Sequence, residues 1–572
     1  MKRTLIAAPA VLLLLLSCAR IHGPLNTSVA NHPWLTLLLL AGAASMVRSR
    51  RMGDATRRLG HLFFESRDAA FYSAVWVAAV VLYSLAGRII FQSQPHLDDG
   101  VASLFQARLF ARGEIVTGLA PARDFFWQIF VLDDSNGLPH RCGMYPPGWP
   151  ALLVPGVWLG MPWIINPILG GALAVAAAML AAEMFNRTTG RIAALLTLMS
   201  PYAAVLSATF LSHIATALLC TLCAWSVFRL VRTGTWHYGA VAGLTWGWAF
   251  LCRPLTALVV GTVIALIPLF SFKQALKAWR AVALALLLAG AAGGIQAGFQ
   301  KVTTGDASTP GHVLGMGRRG KFGFVKLDWV RTHTPRLGME HTLDRLRFLN
   351  DRLTGWPVGV FVLAAIPLFC RSARWRDAWL LLPVISLAFV YAFYWYYEIL
   401  FPARYLEAGT PLVLVLAGRG LQIIFEKSPS AKYPAAAVLA CLLFALITVP
   451  ADYLSAFEPD HGDVEPNLMR TLKKHGVENA VVFYDAVDRD PIYDHAFNDY
   501  YATAFLHNDI DLKGDVVFAR NLRERNVELF ALYPGRRCYL YRYSRERHKP
   551  AFYEMIPKEE LFEVIALDEL KN

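Results

Sequence analysis

Apolar residues dominate the first 450 positions of the chain and occur in runs separated by short polar segments. A bilayer core about 30 Å thick needs roughly 20 apolar residues per helix, which is the length of most of these runs. We therefore predict about thirteen membrane-spanning helices. They lie at 5–16, in a short run that ends near residue 47, and near 71–91, 165–185, 191–208, 211–230, 237–252, 255–271, 280–298, 356–370, 377–399, 407–424 and 434–451.

Basic residues between the runs set the orientation, because loops rich in Lys and Arg stay on the cytoplasmic side. Five such loops are assigned to that side, namely 186–191, 229–232, 273–280, 371–376 and 426–432. The segment 92–148 then forms a first large outer loop on the periplasmic face. For the loops to alternate between the two sides in this way, 149–163 must not cross the membrane. We therefore predict an interfacial or re-entrant helix there.

The two ends of the chain differ from its middle. The run 5–16 follows two basic residues, a pattern shared by signal peptides, lipoprotein leaders and uncleaved anchor helices, and we favour the anchor. After Tyr453 the composition becomes polar, and short apolar strands alternate with a helix. We divide the chain into a membrane domain, 1–452, and a small periplasmic α/β domain, 453–572, of a size that folds alone.

The composition of the chain excludes several classes of protein. Hydrophobic residues make up 56% of the chain and charged residues only 17%, against about 25% in soluble domains, which excludes a simple cytosolic enzyme and a disordered protein. The net charge of +13 is spread over loops, and no basic block is present that would indicate nucleic-acid binding. No His, Cys, Asp and Glu set has metal-ligand spacing, so we expect no cofactor and no required metal, although an acidic pair can hold a divalent cation.

The first outer loop opens on two adjacent acids, Asp98 and Asp99. The apolar residues that follow recur at the spacing of one helix face, which predicts a helix lying on the membrane surface. An Asp at this position is a good N-cap. It is also a general base that could accept a proton from a hydroxyl. The residues alone leave both interpretations open.

Two motifs frame this loop, the run from His96 to Arg112 followed by Gly113, and the run from Tyr145 to Pro150. Together they resemble the polyprenyl-phosphate-dependent glycosyltransferases of the GT-C fold, in the branch of the protein O-mannosyltransferases and the lipid A aminoarabinose transferase. The resemblance extends over roughly residues 70–425. It implies a GT-C-like membrane domain and a lipid-phosphate-sugar donor.

The same resemblance implies roles for individual residues. Asp98 and Asp99 correspond to the acidic pair that carries catalysis. Tyr145, Pro146 and Pro147 correspond to the motif that closes the loop, in the acceptor or donor cleft. Several family members have a second acid near the start of a later helix, where this chain has His213, which we add to the cleft residues; a hydrogen-bonding role within the helix end is the alternative.

A sugar donor on a polyprenyl phosphate needs cations at the membrane interface to stabilise the departing phosphate. The predicted topology puts Arg253 and Arg404 at outer helix ends, while Arg108 and Arg141 flank the two motifs. We predict these four as phosphate ligands, with interfacial snorkelling as the alternative for the first two.

A second large outer loop, 298–355, carries ten basic residues against five acids, which favours an anionic ligand. The same loop contains five glycines between residues 311 and 323. They favour either a mobile lid over a membrane-facing cleft or ordinary turns.

We therefore predict an inner-membrane glycosyltransferase, hexosyl or pentosyl, that uses a polyprenyl-phosphate sugar donor and a periplasmic acceptor, which is a cell-envelope glycan, a glycolipid or a protein. The rival function is a transporter or flippase for a lipid-linked or anionic substrate. Transporters place ionisable residues near the bilayer midplane and often contain repeats. Here the predicted spans are nearly free of charge, and the acids and arginines gather on one face.

Overall fold

The computed structural model describes residues 65–134, 137–270, 272–326, 332–370, 373–397, 401–456, 467–486, 501–544, 549–558 and 561–568, with a few single positions before residue 65. The predicted spans 5–16 and the run ending near residue 47 lie outside these ranges. The chain divides into two compact units. The first unit comprises Met1–Gly87, Ile164–Ile295 and Lys321–Ala456, and the second comprises Arg88–Trp163, Gln296–Gly320 and Phe457–Asn572.

Most of the described chain is helical. The α-helices in chain order are α1 (Asp68–Ile89), α2 (Asp98–Ala111), α3 (Gly148–Trp158), α4 (Ile165–Met184), α5 (Arg187–Leu198), α6 (Pro201–Ser207), α7 (His213–Thr233), α8 (Trp236–Cys252), α9 (Pro254–Phe270), α10 (Phe272–Lys277), α11 (Trp279–Thr304), α12 (Gly311–Met316), α13 (Pro335–Arg352), α14 (Val360–Phe369), α15 (Trp375–Trp379), α16 (Leu382–Tyr391), α17 (Thr410–Lys427), α18 (Lys432–Ala456), α19 (Asn467–Lys474), α20 (Tyr501–His507) and α21 (Val527–Leu532).

Six helical segments of the described chain are long and apolar enough to cross a membrane, namely Asp68–Ile89, Pro162–Met184, His213–Thr233, Trp279–Thr304, Arg404–Lys427 and Lys432–Pro450. A seventh span results if α5 and α6, which are bent by 60°, count as one. The predicted total of thirteen is therefore not confirmed.

Proline explains much of the difference in number. It lacks a backbone N–H and is best tolerated at the start of a helix, so a proline within an apolar run favours a new helix beginning there. Pro201 opens α6, Pro254 opens α9 and Pro383 lies in the first turn of α16. The 10 residues of α14 rise about 15 Å, which is half of the bilayer core.

The loops predicted to share the cytoplasmic side do meet at one end of the first unit. Arg187 Nε and Arg191 Nη2, which follow α4, lie 2.7 and 2.8 Å from Asp68 Oδ1 at the start of α1. Arg229 and Arg232 at the end of α7 pair with Glu183 at 3.2 and 2.9 Å.

The remaining loops of this set join the same end. Ala278, after α10, packs in one cluster with Leu230 near the end of α7. Arg376 donates to the carbonyl of Met184 at 3.3 Å, and Lys427 lies 3.9 Å from the sulfur of Cys370. The charge pattern thus grouped these loops correctly, while the side of the membrane they face remains a prediction.

The path between α1 and α4 bears on the prediction that 149–163 does not cross. The two helices are antiparallel, since Phe71 packs with Ala178 and Trp76 donates to the carbonyl of Ile168. Helix α1 therefore ends, and α4 begins, at the same end of the first unit, while the absence of a crossing by 149–163 remains a prediction. Its helix α3 has 11 residues, which rise about 16 Å and fall short of the bilayer core.

The second unit contains all the described strands: β1 (Thr117–Gly118), β2 (Val131–Asp133), β3 (His140–Gly143), β4 (Ala480–Ala486), β5 (Val516–Arg520), β6 (Arg537–Ser544), β7 (Lys549–Lys558) and β8 (Leu561–Asp568). The first three form an antiparallel sheet in the order β1-β3-β2. The others form a sheet in the order β5-β4-β6-β7-β8, parallel among β5, β4 and β6 and antiparallel beyond. The predicted C-terminal sheet domain is confirmed, although β7 and β8 were not predicted.

The C-terminal sheet shares its core with the first outer loop. Phe125, which is 0% exposed, belongs to one apolar cluster with Phe483 of β4 and Leu540 of β6. The ring centroids of Phe125 and Phe483 are 6.4 Å apart. The structure therefore groups the outer loop with the C-terminal residues, whereas the predicted boundary at 452 assigned it to the membrane domain.

We predict that Phe125→Ala destabilises the C-terminal sheet by at least about 3 kcal/mol, because it removes a fully buried ring from a shared core. Hydrogen exchange of the β4 and β6 amides should then accelerate more than a hundredfold. Asp124→Ala is the neighbouring control, since its side chain is exposed and pairs with Arg525 at the surface. Equal exchange in both variants would show that the C-terminal residues fold without the loop.

Candidate active site

The acidic pair opens helix α2, but neither residue is its N-cap. Leu97 holds the cap position with an extended backbone and makes no side-chain capping bond. Asp98 and Asp99 occupy the first turn, where a negative charge interacts favourably with the helix dipole. The capping interpretation of Asp98 is therefore wrong.

Asp98 accepts a hydrogen bond from an amide that sequence reasoning did not single out. The Nε2 of Gln128 donates to Asp98 Oδ1 at 2.6 Å. The other end of the amide accepts from the backbone N–H of Phe130 at 2.8 Å. Gln128 is 3% exposed, so this arrangement lies in the interior of the second unit.

Asp99 is held by the proline motif. The phenol of Tyr145 donates to Asp99 Oδ1, and the Tyr145 ring packs edge-on against Phe130 at 5.7 Å. Pro146 follows, and Pro147 is the residue at which helix α3 begins. The structure thus brings the two predicted motifs together, because β3 and the start of α3 lie beside α2.

Arg108 and Arg141 are engaged elsewhere. Arg108 donates to the carbonyls of Leu506 and Asn508 at 2.8 and 3.2 Å, and Arg141 donates to the carbonyl of Ile510 at 3.0 Å. Arg141 is 3% exposed. Both guanidiniums therefore tie the outer loop to the C-terminal part of the unit, so we assign them a structural role in place of phosphate binding.

In the first unit, three guanidiniums surround one phenol ring. The Cζ atoms of Arg253, Arg345 and Arg404 lie 5.4, 5.7 and 5.3 Å from the ring centroid of Tyr405. The ring of His213 lies 6.1 Å from the same ring. The three predicted residues of this unit are thus brought together, and Arg345 joins them from the basic outer loop. We call these four residues with Tyr405 the arginine cluster.

Helix breaks and turns place the members of the arginine cluster. Arg253 follows the last residue of α8, where Pro254 starts a new helix, and Arg404 begins the 3-10 turn Arg404–Gly409. Arg345 comes from α13 and donates to the carbonyls of Tyr391 and Tyr396, both at 2.9 Å. These carbonyls lie at and just after the end of α16, where the helical hydrogen-bond ladder stops.

Two members of the arginine cluster, Arg253 and Arg345, carry positive charge without an ion pair within the described chain. Arg345 is 1% exposed and Arg253 is partly buried. Burial also lowers the pKa of the Arg345 guanidinium. A buried charge without a counterion is costly, so the cluster favours an anionic ligand.

Gly311 and Gly315 of the second outer loop serve close packing, whereas Gly317 and Gly323 have a positive φ, as the predicted turns would require. A Cβ atom on Gly311 would lie 2.5 Å from the carbonyl oxygen of Met144, and one on Gly315 would lie 3.3 Å from its sulfur. Helix α12 therefore packs against the residue that precedes the proline motif. This contact supports neither of the two predicted roles at these positions, a mobile lid or an ordinary turn.

No group of three or more His, Cys, Asp and Glu side chains in the described ranges could hold a metal ion. The expectation of no required metal or cofactor remains a prediction. Gln128 and Arg345 are the site residues that sequence reasoning missed. The excess of basic residues in its loop could have indicated Arg345. No sequence feature indicated Gln128, because an isolated Gln in a loop belongs to no motif.

Residues 160–292 match the family model described as dolichyl-phosphate-mannose-protein mannosyltransferase. The predicted resemblance is confirmed. The matched segment includes His213 and Arg253, whereas Asp98 and Arg404 lie outside it. A comparison with curated proteins found no match.

Two solved structures are similar to the chain at low identity. ArnT from Cupriavidus metallidurans, bound to undecaprenyl phosphate, is 12% identical with a TM-score of 0.49, over 87% of this chain and 98% of that chain. The oligosaccharyltransferase of Archaeoglobus fulgidus, in complex with Zn and sulfate, is 13% identical with a TM-score of 0.44, over 86% of this chain and 73% of that chain.

We predict that Arg345→Ala lowers the affinity of the purified protein for a polyprenyl phosphate by about 10- to 100-fold, the loss expected for a charge-assisted hydrogen bond. Arg345→Lys should lose less, because it keeps the charge without the planar fork. The matched control is Arg347→Ala on the same helix, since Asp344 already pairs with Arg347 at 3.0 Å. Equal affinities for the Arg345→Ala and Arg347→Ala variants would contradict an anion site in the arginine cluster.

Proposed function

We propose that the protein is an inner-membrane glycosyltransferase that moves a hexose or a pentose from a polyprenyl-phosphate donor to a periplasmic acceptor. The acceptor is a cell-envelope glycan, a glycolipid or a protein. The family match over 160–292 supports the reaction class. The acidic pair supports the proposal that the acceptor reacts through a hydroxyl group, because a carboxylate is a suitable base for the hydroxyl proton.

The observation that carries the proposal is the arginine cluster. Phosphate is the leaving group of such a donor, and its negative charge grows as the bond to the sugar breaks. Guanidiniums bind phosphate oxygens through strong, paired hydrogen bonds. Arg345 and Arg404 are 1% and 4% exposed, and a charge interacts more strongly in such surroundings than in water.

The proposed reaction is a direct displacement. The acceptor oxygen attacks the anomeric carbon of the sugar, and the bond between that carbon and the phosphate oxygen breaks. The hydroxyl proton moves to Asp98 or Asp99, and the phosphate leaves with the bonding electron pair. Inversion at the anomeric carbon is the stereochemistry that the family resemblance implies.

The sidedness is also a proposal, and two observations support it. The basic loops assigned to the cytoplasm gather at one end of the first unit, with Asp68 and Glu183 as their partners. His213 of the arginine cluster opens α7, and Ser212 just before it accepts a hydrogen bond from Arg253, at the opposite end of α7 from Arg229 and Arg232. Lys- and Arg-rich ends face the cytoplasm as a rule, so the cluster faces the periplasm.

We predict that Asp→Asn at the catalytic position lowers the rate of sugar transfer by about 10²- to 10⁴-fold. Asn cannot take up the hydroxyl proton, but it keeps an oxygen that accepts the bonds from Gln128 or Tyr145. Expression should be normal, since Leu97 and not an Asp holds the cap position of α2. The measurement is transfer from a labelled polyprenyl-phosphate sugar in matched membrane preparations of each single variant.

Glu114→Gln is the control, because Glu114 is an exposed acid in the same loop. Its transfer rate should equal that of the unchanged protein. Near-normal transfer in both Asp→Asn variants would refute the catalytic assignment. Movement of labelled lipid across vesicles without any sugar transfer would instead support the transporter or flippase function.

A further inference from the structure

Gln128 is a buried amide whose two ends are both used. Its oxygen accepts a hydrogen bond from the backbone N–H of Phe130, the residue just before β2. Its nitrogen donates a hydrogen bond to Asp98. Because a backbone N–H can only donate, the oxygen of the amide must face Phe130. The nitrogen is then directed at Asp98, and the orientation is fixed by the fold.

The chemical type of this donor is informative. A primary amide is neutral and does not give up its proton at physiological pH. Gln128 therefore orients the Asp98 carboxylate without exchanging a proton with it. Asp99 accepts a hydrogen bond from a donor of another kind, the ionisable phenol of Tyr145.

We propose that Gln128 is the positioning residue for Asp98, and that Asp98, held in this way, is the group that accepts the hydroxyl proton. This inference rests on the proposed function, since it assigns the base of the same reaction. It narrows the choice between the two acids, which the sequence left open.

Other charged or titratable groups lie on the elements around the N-terminal half of α2. They are Asp99 and Arg108 on α2 itself, His96 before it, His140, Arg141 and Cys142 on β3, Tyr145 in the proline motif, and His507 on α20. Burial lowers the pKa of His96 and of His507 to about 4 in each case, so both are neutral across the usual assay range. Neither should add a titration above pH 5.

The test is the pH dependence of kcat/KM for sugar transfer. A hydrogen bond to a carboxylate favours its charged form, so removing the donor raises the pKa of Asp98. Because the base must be ionised, the acid limb of the profile should move to higher pH. For Gln128→Leu we expect a shift of about one pH unit with a lower kcat and little change in KM for the donor.

Gln106→Leu is the matched control. Gln106 is also a buried amide of the same unit, but both its ends bond to backbone groups, the carbonyl of Ile115 and the N–H of Gly143. Its loss removes the same chemical group and should affect stability without moving the acid limb. A limb displaced equally in both Leu variants would show a general structural effect and overturn the proposal.

Gln128→Glu provides a second variant that keeps the size of the side chain. A second carboxylate beside Asp98 raises the pKa of the pair, so the limb should move further than in Gln128→Leu. An unchanged limb in both Gln128 variants, with a displaced limb in Tyr145→Phe, would assign the proton to Asp99 and refute the role of Gln128.

Measurements on the unchanged protein distinguish a failure of the positioning role from a failure of the proposed function. If it transfers sugar and the Gln128 variants keep its profile, only the positioning role fails. If it transfers no sugar from any polyprenyl-phosphate donor, the proposed function fails and the inference falls with it.

Discussion

Positive charge held inside the first unit is the constraint on which its site depends. Arg253, Arg345 and Arg404 surround the Tyr405 ring, although an arginine in the middle of a membrane helix costs about 2.5 to 3.5 kcal/mol. The chain meets this cost by placing the guanidiniums where helices stop. Arg253 lies between two helices, Arg404 begins a turn before α17, and the carbonyls that hold Arg345 follow the end of α16.

Helix breaks also explain part of the difference between the predicted spans and those of the described chain. Hydropathy measures apolar composition and does not register that Pro201 divides the predicted span 191–208. Loop charge, by contrast, is a local property that survives folding. It correctly grouped the loops that were predicted to share one side of the membrane, and the helix breaks at Arg253 and Arg404 were visible as short motifs.

In the second unit, the roles of several residues could not be predicted from the sequence. The position of α2 and the acidic pair followed from periodicity, but the roles of Arg108 and Arg141 depend on partners 398 and 369 residues away. No local pattern encodes such contacts. Gln128 was invisible for the same reason, because its role exists only once the loop is folded against α2. The domain boundary at 452 was drawn from composition, which cannot show that Phe125 completes a distant core.

The hydrogen bonds from Arg108 to the carbonyls of Leu506 and Asn508 also have a consequence for how the protein is synthesised. Helix α2 leaves the ribosome early, yet its anchoring partners are synthesised nearly 400 residues later. At about 5–20 residues per second this delay lasts on the order of 20 to 80 s. During that time the acidic helix lacks its final support. A chain truncated before Leu506 would therefore lack the contacts that seat α2 and its acidic pair.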